Sequence, residues 1–308
     1  MAVSTTLDWY GCATFRLRTG GLTVFLDAYI DRAPIAAGTG LRADDIDECD
    51  WIVVGHAHFD HLYGAERIIA NTGARLIGSY ETVRVLEQAG VPLDRMICVA
   101  GGERIELGEG VVVSVLPSQH SCVWSQRQMT QSGEVCLGDL GVTWQEREAR
   151  MRELTAFMTT ALAPVAIEHL LSSLGGHSDR GDGGALLFLF ETPDGTLLFQ
   201  DTSGHWSGIL ESLGEHPPDV AILAAAGRAN VDGEPIQGSL ADFVADQARV
   251  LGARRVVLGH HDDWLPGFSV ATDMEPIRAA VAERAPATEL LEPGYLAGTE
   301  IFAGLAPR

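Results

Sequence analysis

Lysine is absent from the chain, and all 21 basic side chains are arginine. That absence rules out Schiff-base and lysine-nucleophile chemistry. Positive charge is scarce altogether, with 21 basic against 42 acidic residues and a formal charge of −21. Nucleic-acid affinity rests on Lys and Arg neutralising phosphates, so a nucleic-acid partner is disfavoured. The few cysteines, Cys12, Cys49, Cys98, Cys122 and Cys136, are odd in number, widely spaced and form no C-x-x-C pair. Neither a disulfide framework nor a structural zinc knuckle is indicated, and the thiols read as free in a reducing compartment. No apolar run reaches the roughly 18 residues that spanning a bilayer requires, and Met1 to Tyr10 has no basic leader region. The expectation is a cytoplasmic protein without a membrane partner. Nor does any G-x-S-x-G elbow follow a strand, which disfavours a Ser-His-Asp triad.

What the chain does have is a core-forming composition, 46% hydrophobic over 308 residues, and one dense cluster of histidines. Residues Gly55-His56-Ala57-His58-Phe59-Asp60-His61 follow the apolar run Trp51-Ile52-Val53-Val54. Such a run ending in glycine reads as a buried strand leading into its loop. Side chains at the carboxyl end of a strand face the crevice where α/β proteins place ligands. Imidazoles with a carboxylate suit Zn²⁺, Fe²⁺ or Mn²⁺ better than Ca²⁺ or Mg²⁺. Burying these ionisable groups together is costly unless a metal satisfies them.

The pattern His56-x-His58-x-Asp60-His61 resembles the signature of the metallo-β-lactamase-fold superfamily. Gly11-Cys12-Ala13-Thr14-Phe15, followed by a strand ending in Asp27, is similar to the opening of its ascorbate-6-phosphate lactonase and N-acylphosphatidylethanolamine phospholipase branch. The resemblance implies an α/β fold, a four-layer αββα sandwich over residues 1–308 with metals at one edge. It further implies His120 as third histidine, Asp201 in Asp201-Thr202-Ser203-Gly204 as bridging carboxylate, and a histidine of His260-His261-Asp262-Asp263 as the last ligand. Strand parity favours His260 over His261, though a register shift of one would reverse them. His56, His58 and His120 would then hold one ion, Asp60, His61 and His260 the other.

Along the chain, Thr14–Arg18 and Leu22–Leu26 read as a hairpin, and Tyr80 to Ala89 as an amphipathic helix. Val111–Leu116 is a strand that delivers His120, and Ala185–Phe190 with Thr196–Gln200 a second hairpin that delivers Asp201. Between them, residues 121–180 are longer than a minimal fold needs. Thr143 and Glu146 form a capping-box pattern, Met151, Leu154, Met158 and Leu162 keep a helical period, and a second helix covers about Val165 to Leu174. This stretch is expected to be an inserted lid, a homodimerisation arm or a plain packing subdomain. Candidate substrate contacts are Tyr29, Phe59, Trp124, His177 and Asp263. Tyr29 would be either a pocket wall or an aromatic packed on its own loop. Trp124 and Trp144 would either line the cavity or anchor the insertion.

Two divalent ions, zinc first with manganese or iron as alternatives, would share a hydroxide that attacks a carbonyl or phosphoryl centre of a small-molecule substrate. Asp60 would orient the nucleophile, while bound water, His261 or Asp263 would serve the leaving group. A small ester, lactone or phosphoester is the first expectation, and a di-iron oxidase or oxygenase or a lactam/amide hydrolase the alternatives.

Overall fold

The computed structural model describes residues 4–122, 140–175, 181 and 183–306. Its first half builds a seven-stranded sheet from Thr6–Gly11 (β1), Thr14–Thr19 (β2), Leu22–Leu26 (β3), Trp51–Val53 (β4), Arg75–Gly78 (β5) and Met96–Cys98 (β6), with Thr299–Glu300 (β17) added beside β1. The helices Phe59–Leu62 (α1), Ala65–Thr72 (α2) and Tyr80–Gln88 (α3) connect its later strands. The second seven-stranded sheet comprises Arg104–Gly108 (β7), Val111–Pro117 (β8), Leu186–Thr192 (β9), Gly195–Gln200 (β10), Val220–Ala224 (β12), Arg255–Gly259 (β15) and Glu289–Leu291 (β16). Gly204–His205 (β11), Asn230–Val231 (β13) and Glu234–Pro235 (β14) form a small third sheet. The remaining helices are Trp144–Ala161 (α4), Pro164–Leu174 (α5), Ser207–Glu215 (α6), Leu240–Leu251 (α7) and Met274–Arg284 (α8).

Strand alternation decides which way each sheet faces. On β4, Trp51 and Val53 enter the core between the sheets with Phe15, Val113, Phe188 and Phe199, whereas Ile52 turns outward to α2 and α3. On β12, Val220 and Ile222 face the same inter-sheet core, and Ala221 and Leu223 face the helices α6, α7 and α8. Both faces of each sheet are therefore covered, which is why these strands read as nearly continuous apolar runs. The result is the four-layer αββα arrangement.

The two expected hairpins are present, with Phe15 opposite Leu26 and Leu197 opposite Phe190. At the start of α4, Thr143 and Glu146 close a reciprocal capping box, and α5 starts with Pro164 at its first turn, where the missing N–H costs nothing. Buried Leu154, Met158 and Leu170 pack with Phe59, Trp264 and Leu265 in a separate cluster. The helical pair is thus tied to the loops at one sheet edge. Among the described residues no helix is long and apolar enough to cross a membrane.

Phe188 is fully buried between the sheets, and Leu171 is 62% exposed on α5. Phe188→Ala should therefore cost about 3–5 kcal/mol, and Leu171→Ala less than about 0.5 kcal/mol. Urea unfolding checks both through the midpoint at constant slope.

Candidate metal centre

The candidate donors arrive from several strand ends along one edge of the sandwich. The chain leaves β4 through Gly55 and His56, and His58 then caps α1, whose first turn carries Asp60 and His61. His120 follows β8, Asp201 follows β10, and His260 follows β15. Three of the six described non-glycine residues with positive φ surround this edge: Cys12 (50°), Asp27 (56°) and His260 (62°). Left-handed backbone costs such residues roughly 1–2 kcal/mol each, and such strain clusters where function requires a fixed geometry.

Hydrogen bonds orient the rings. His56 Nδ1 donates to Asp201 Oδ2 at 2.5 Å, His61 Nδ1 to Asp27 Oδ2 at 2.6 Å, and His120 Nδ1 to the Ser121 carbonyl at 2.7 Å. With the proton on Nδ1, each Nε2 presents a lone pair to the centre, an arrangement typical of metal-ligating histidine. His56 Nε2 then lies 3.0 Å from His120 Nε2 and 3.1 Å from His58 Nδ1. The Nε2 atoms of His56 and His120, both unprotonated in this arrangement, cannot bond to each other, and nitrogens sharing a tetrahedral ion would stand about 3.3 Å apart. A cation among them resolves the conflict.

The second set gathers around Asp60 Oδ2, with His61 Nε2 at 3.4 Å and His260 Nε2 at 3.3 Å. Asp201 Oδ2 lies against His56 and, at 3.4 Å, against His61 Nδ1, one histidine from each expected set. Its Oδ1 is buried without a hydrogen-bond partner. A carboxylate oxygen withdrawn from water in this way calls for a cation. Gly55 permits the approach, because a Cβ there would stand 2.0 Å from Asp201 Oδ2. Among the described residues three groups could hold an ion: His56, His58 and His120; His56, His61 and Asp201; and Cys12, Asp60 and His260.

The electrostatics follow. Burial, reinforced by the neighbouring imidazoles of His61, His120 and His58, holds the His56 pKa well below its ordinary value and keeps the ring neutral. Burial would push Asp60 up, but His61 and His260 hold it well below the carboxylate range. Burial likewise opposes charge on His61, yet Asp60 and Asp27 keep its pKa well above normal, so ion uptake there displaces a proton.

Sequence reasoning missed two residues of this site as participants. Asp27 reads as an ordinary strand-end carboxylate, but besides orienting His61 it accepts from Gly55 N–H at 2.9 Å. Cys12 reads as a plain free thiol, yet its Sγ stands 3.5 Å from His260 Nε2 and 4.0 Å from Asp60 Oδ2. Its carbonyl accepts from His260 N–H at 2.6 Å and its N–H donates to Asp262 at 2.9 Å. The only signal for Cys12 was the Gly11-to-Phe15 turn itself.

Other expected residues lie elsewhere. His261 is not among the residues lining the cavity: its ring stacks on Trp9 at 4.4 Å, and burial lowers its pKa. Asp263 accepts from Ser269 Oγ at 2.6 Å and holds its own loop, away from the leaving group. Tyr29 is neither a pocket wall nor a surface aromatic. It is buried behind Phe59 and Trp264, edge-on to both, with its hydroxyl 2.8 Å from His169 Nε2 of α5. Phe59 does line the cavity above the centre. Trp144 is 68% exposed and lines nothing. Trp124 and His177 fall outside the described residues.

Fold and donor set together define a metallo-β-lactamase-fold protein with histidine and aspartate groups that could bind metal. Residues 23–161 match the β-lactamase superfamily domain. A UPF0173 metal-dependent hydrolase of Pyrobaculum arsenaticum is 32% identical over 37% of this chain and 50% of the relative. That of Methanopyrus kandleri is 30% identical over 43% and 52%. The chain spans about half the length of the curated relatives it matches. Igni18, a metallo hydrolase from the archaeon Ignicoccus hospitalis, superposes with a TM-score of 0.58 at 18% identity, covering 95% of this chain and 97% of that one. CmlA, a diiron β-hydroxylase from Streptomyces venezuelae, gives a TM-score of 0.54 at 15% identity over 96% and 54%. One sandwich thus supports more than one chemistry.

Asp27→Asn keeps the shape but weakens the acceptor for His61. It should lower metal affinity about 10–100-fold, measured by chelator competition. His261→Phe preserves the Trp9 stack and should leave metal stoichiometry at the wild-type value by elemental analysis.

Proposed function

We propose that the protein is a binuclear metal-dependent hydrolase acting on a small ester or lactone. The observation that carries this reading is the trio of His56, His58 and His120 beside the unpartnered Asp201 oxygen, with His58 and His120 lining one cavity and His56 and Asp201 buried behind them. His56, His58 and His120 would hold one ion, Asp60, His61 and His260 the other, with Asp201 reaching both. Zinc suits this nitrogen-rich set, and iron and manganese are the alternatives. When bound, two such ions supply an activated water and a Lewis acid.

The chain's own groups determine what that water meets. Asp60, anionic through its two imidazole neighbours, accepts a hydrogen bond and orients the nucleophile toward the substrate carbonyl. Asp27 and the Ser121 carbonyl fix ring orientation so that the donors do not reorganise during the reaction. The apolar walls exclude bulk water and strengthen these interactions. Against a phosphoester, the described cavity lining includes no arginine, and the chain has no lysine. Among the described lining residues a phosphoryl group would meet no cationic side chain and would depend on the ions alone.

Protein purified without added metal should contain about two equivalents of zinc, and His58→Ala and Asp201→Ala should each lose metal. Asp60→Asn should lower the kcat for 4-nitrophenyl acetate and δ-valerolactone by about 10²-fold or more. Stoichiometric iron with substrate-dependent O₂ consumption and no hydrolysis would overturn the hydrolase reading, as would a folded wild-type protein that binds no metal.

A further inference from the structure

The cavity over the centre has a second half that the hydrolytic reading does not use. Its volume is about 190 Å³. Its apolar wall comes from Met151, Leu154 and Met158 on α4 and Leu170 on α5, which pack in one cluster with Trp264 and Phe268. Among the described lining residues the only ionisable groups are those of the candidate centre; the rest of the polar lining is hydroxyl. Leu154, Met158, Leu170 and Trp264 are each less than 10% exposed, so the wall is packed and preformed. Tyr29 fixes it from behind, touching Phe59 and Trp264 with its ring and His169 of α5 with its hydroxyl.

We propose that this chamber selects substrates bearing an uncharged hydrocarbon arm of about six to eight carbons, a straight alkyl or acyl chain or a phenyl-sized ring, beside the bond that is hydrolysed. The inference rests on the hydrolase reading and names its substrate class. Size sets an upper limit on the length, since an apolar cavity of about 150 Å³ takes up benzene and the whole cavity here, donor side included, holds about 190 Å³. Chemistry sets the polarity, because a charged arm would be desolvated against methionine, leucine and aromatic carbon with no partner. A flexible, polarizable thioether pair, Met151 and Met158, adapts to a linear or a planar arm alike. The net charge of −21 further disfavours anionic arms at a distance.

The test is calorimetric titration of the metal-loaded protein with 1-butanol, 1-hexanol, 1-octanol and 1-decanol. The same titration is made with 6-aminohexan-1-ol and 6-hydroxyhexanoate, which carry a charge at the far end of the arm. Affinity should rise about fourfold per methylene up to about eight carbons and then stop rising, and both charged analogues should bind at least about tenfold more weakly than 1-hexanol. Met151→Phe narrows the chamber from a half-buried position and should move the plateau to shorter chains with metal content unchanged. Met158→Asp should abolish the length dependence, while Met158→Leu should retain it. No length dependence in metal-replete protein, or charged analogues binding as tightly as 1-hexanol, would overturn the proposal. The readout requires no turnover. Loss of length selectivity with metal-dependent ester hydrolysis intact defeats the chamber alone, and length-selective binding without hydrolysis defeats the hydrolase reading alone.

Discussion

Removing several carboxylates and imidazoles from water at one sheet edge is the constraint to which the rest of the structure answers. Asp27, His56, Asp60, His61 and Asp201 are all nearly inaccessible to solvent. Each would carry a desolvation cost of several kcal/mol if left ionised and alone. The structure offsets it by mutual contact: every one of these side chains has an oppositely polarised neighbour within 3.4 Å. What the protein atoms do not satisfy is the Oδ1 of Asp201, close to the place where the Nε2 atoms of His56 and His120 face each other at 3.0 Å. The unmet demand is for positive charge, and it lies at the point where donors from separate strands converge.

Holding that point requires rigidity in the loops, and the backbone supplies it at some cost. Cys12 and His260 both adopt left-handed φ and are bonded to each other through the Cys12 carbonyl. Asp262 accepts from Cys12 N–H and from the Tyr295 hydroxyl at 3.1 Å, joining the C-terminal region to the first turn. The strained residues are therefore over-determined by hydrogen bonds on both sides, which is the condition under which strain persists. The first and last thirds of the chain meet at the centre, so its geometry depends on the completed sandwich.

This long-range assembly sets the limit of what could be read in the sequence. His56, His58, Asp60 and His61 were legible because four donors fall within six positions. The sheets were legible because runs such as Val220–Leu223 are apolar on both faces. Strand parity favoured His260 over His261; in the structure the strand ends at Gly259, His260 has left-handed φ beside Asp60, and His261 stacks on Trp9. Asp27 and Cys12 were visible only as part of the opening motif, with no role attached to either: the cysteines read as free thiols. Their partners are distant in sequence, and only the fold brings them near. Tyr29 was misread for the same reason, because its neighbour His169 lies 140 positions away.

The helical period of Met151, Leu154 and Met158 announced a buried stripe without saying what it would cover. In the structure it covers the donors, and that placement separates two physical tasks. Hydrogen bonds rooted in the two sheets fix the centre, so its geometry is insensitive to the identity of the wall. The wall is held by apolar packing on α4 and α5, where volume-conserving exchanges cost little. Changes in the insertion can alter what fits without altering how the donors are aimed. A sandwich of this kind does not by itself specify a chemistry. Its selectivity resides in the side chains that decide which molecules reach the centre and how much water accompanies them.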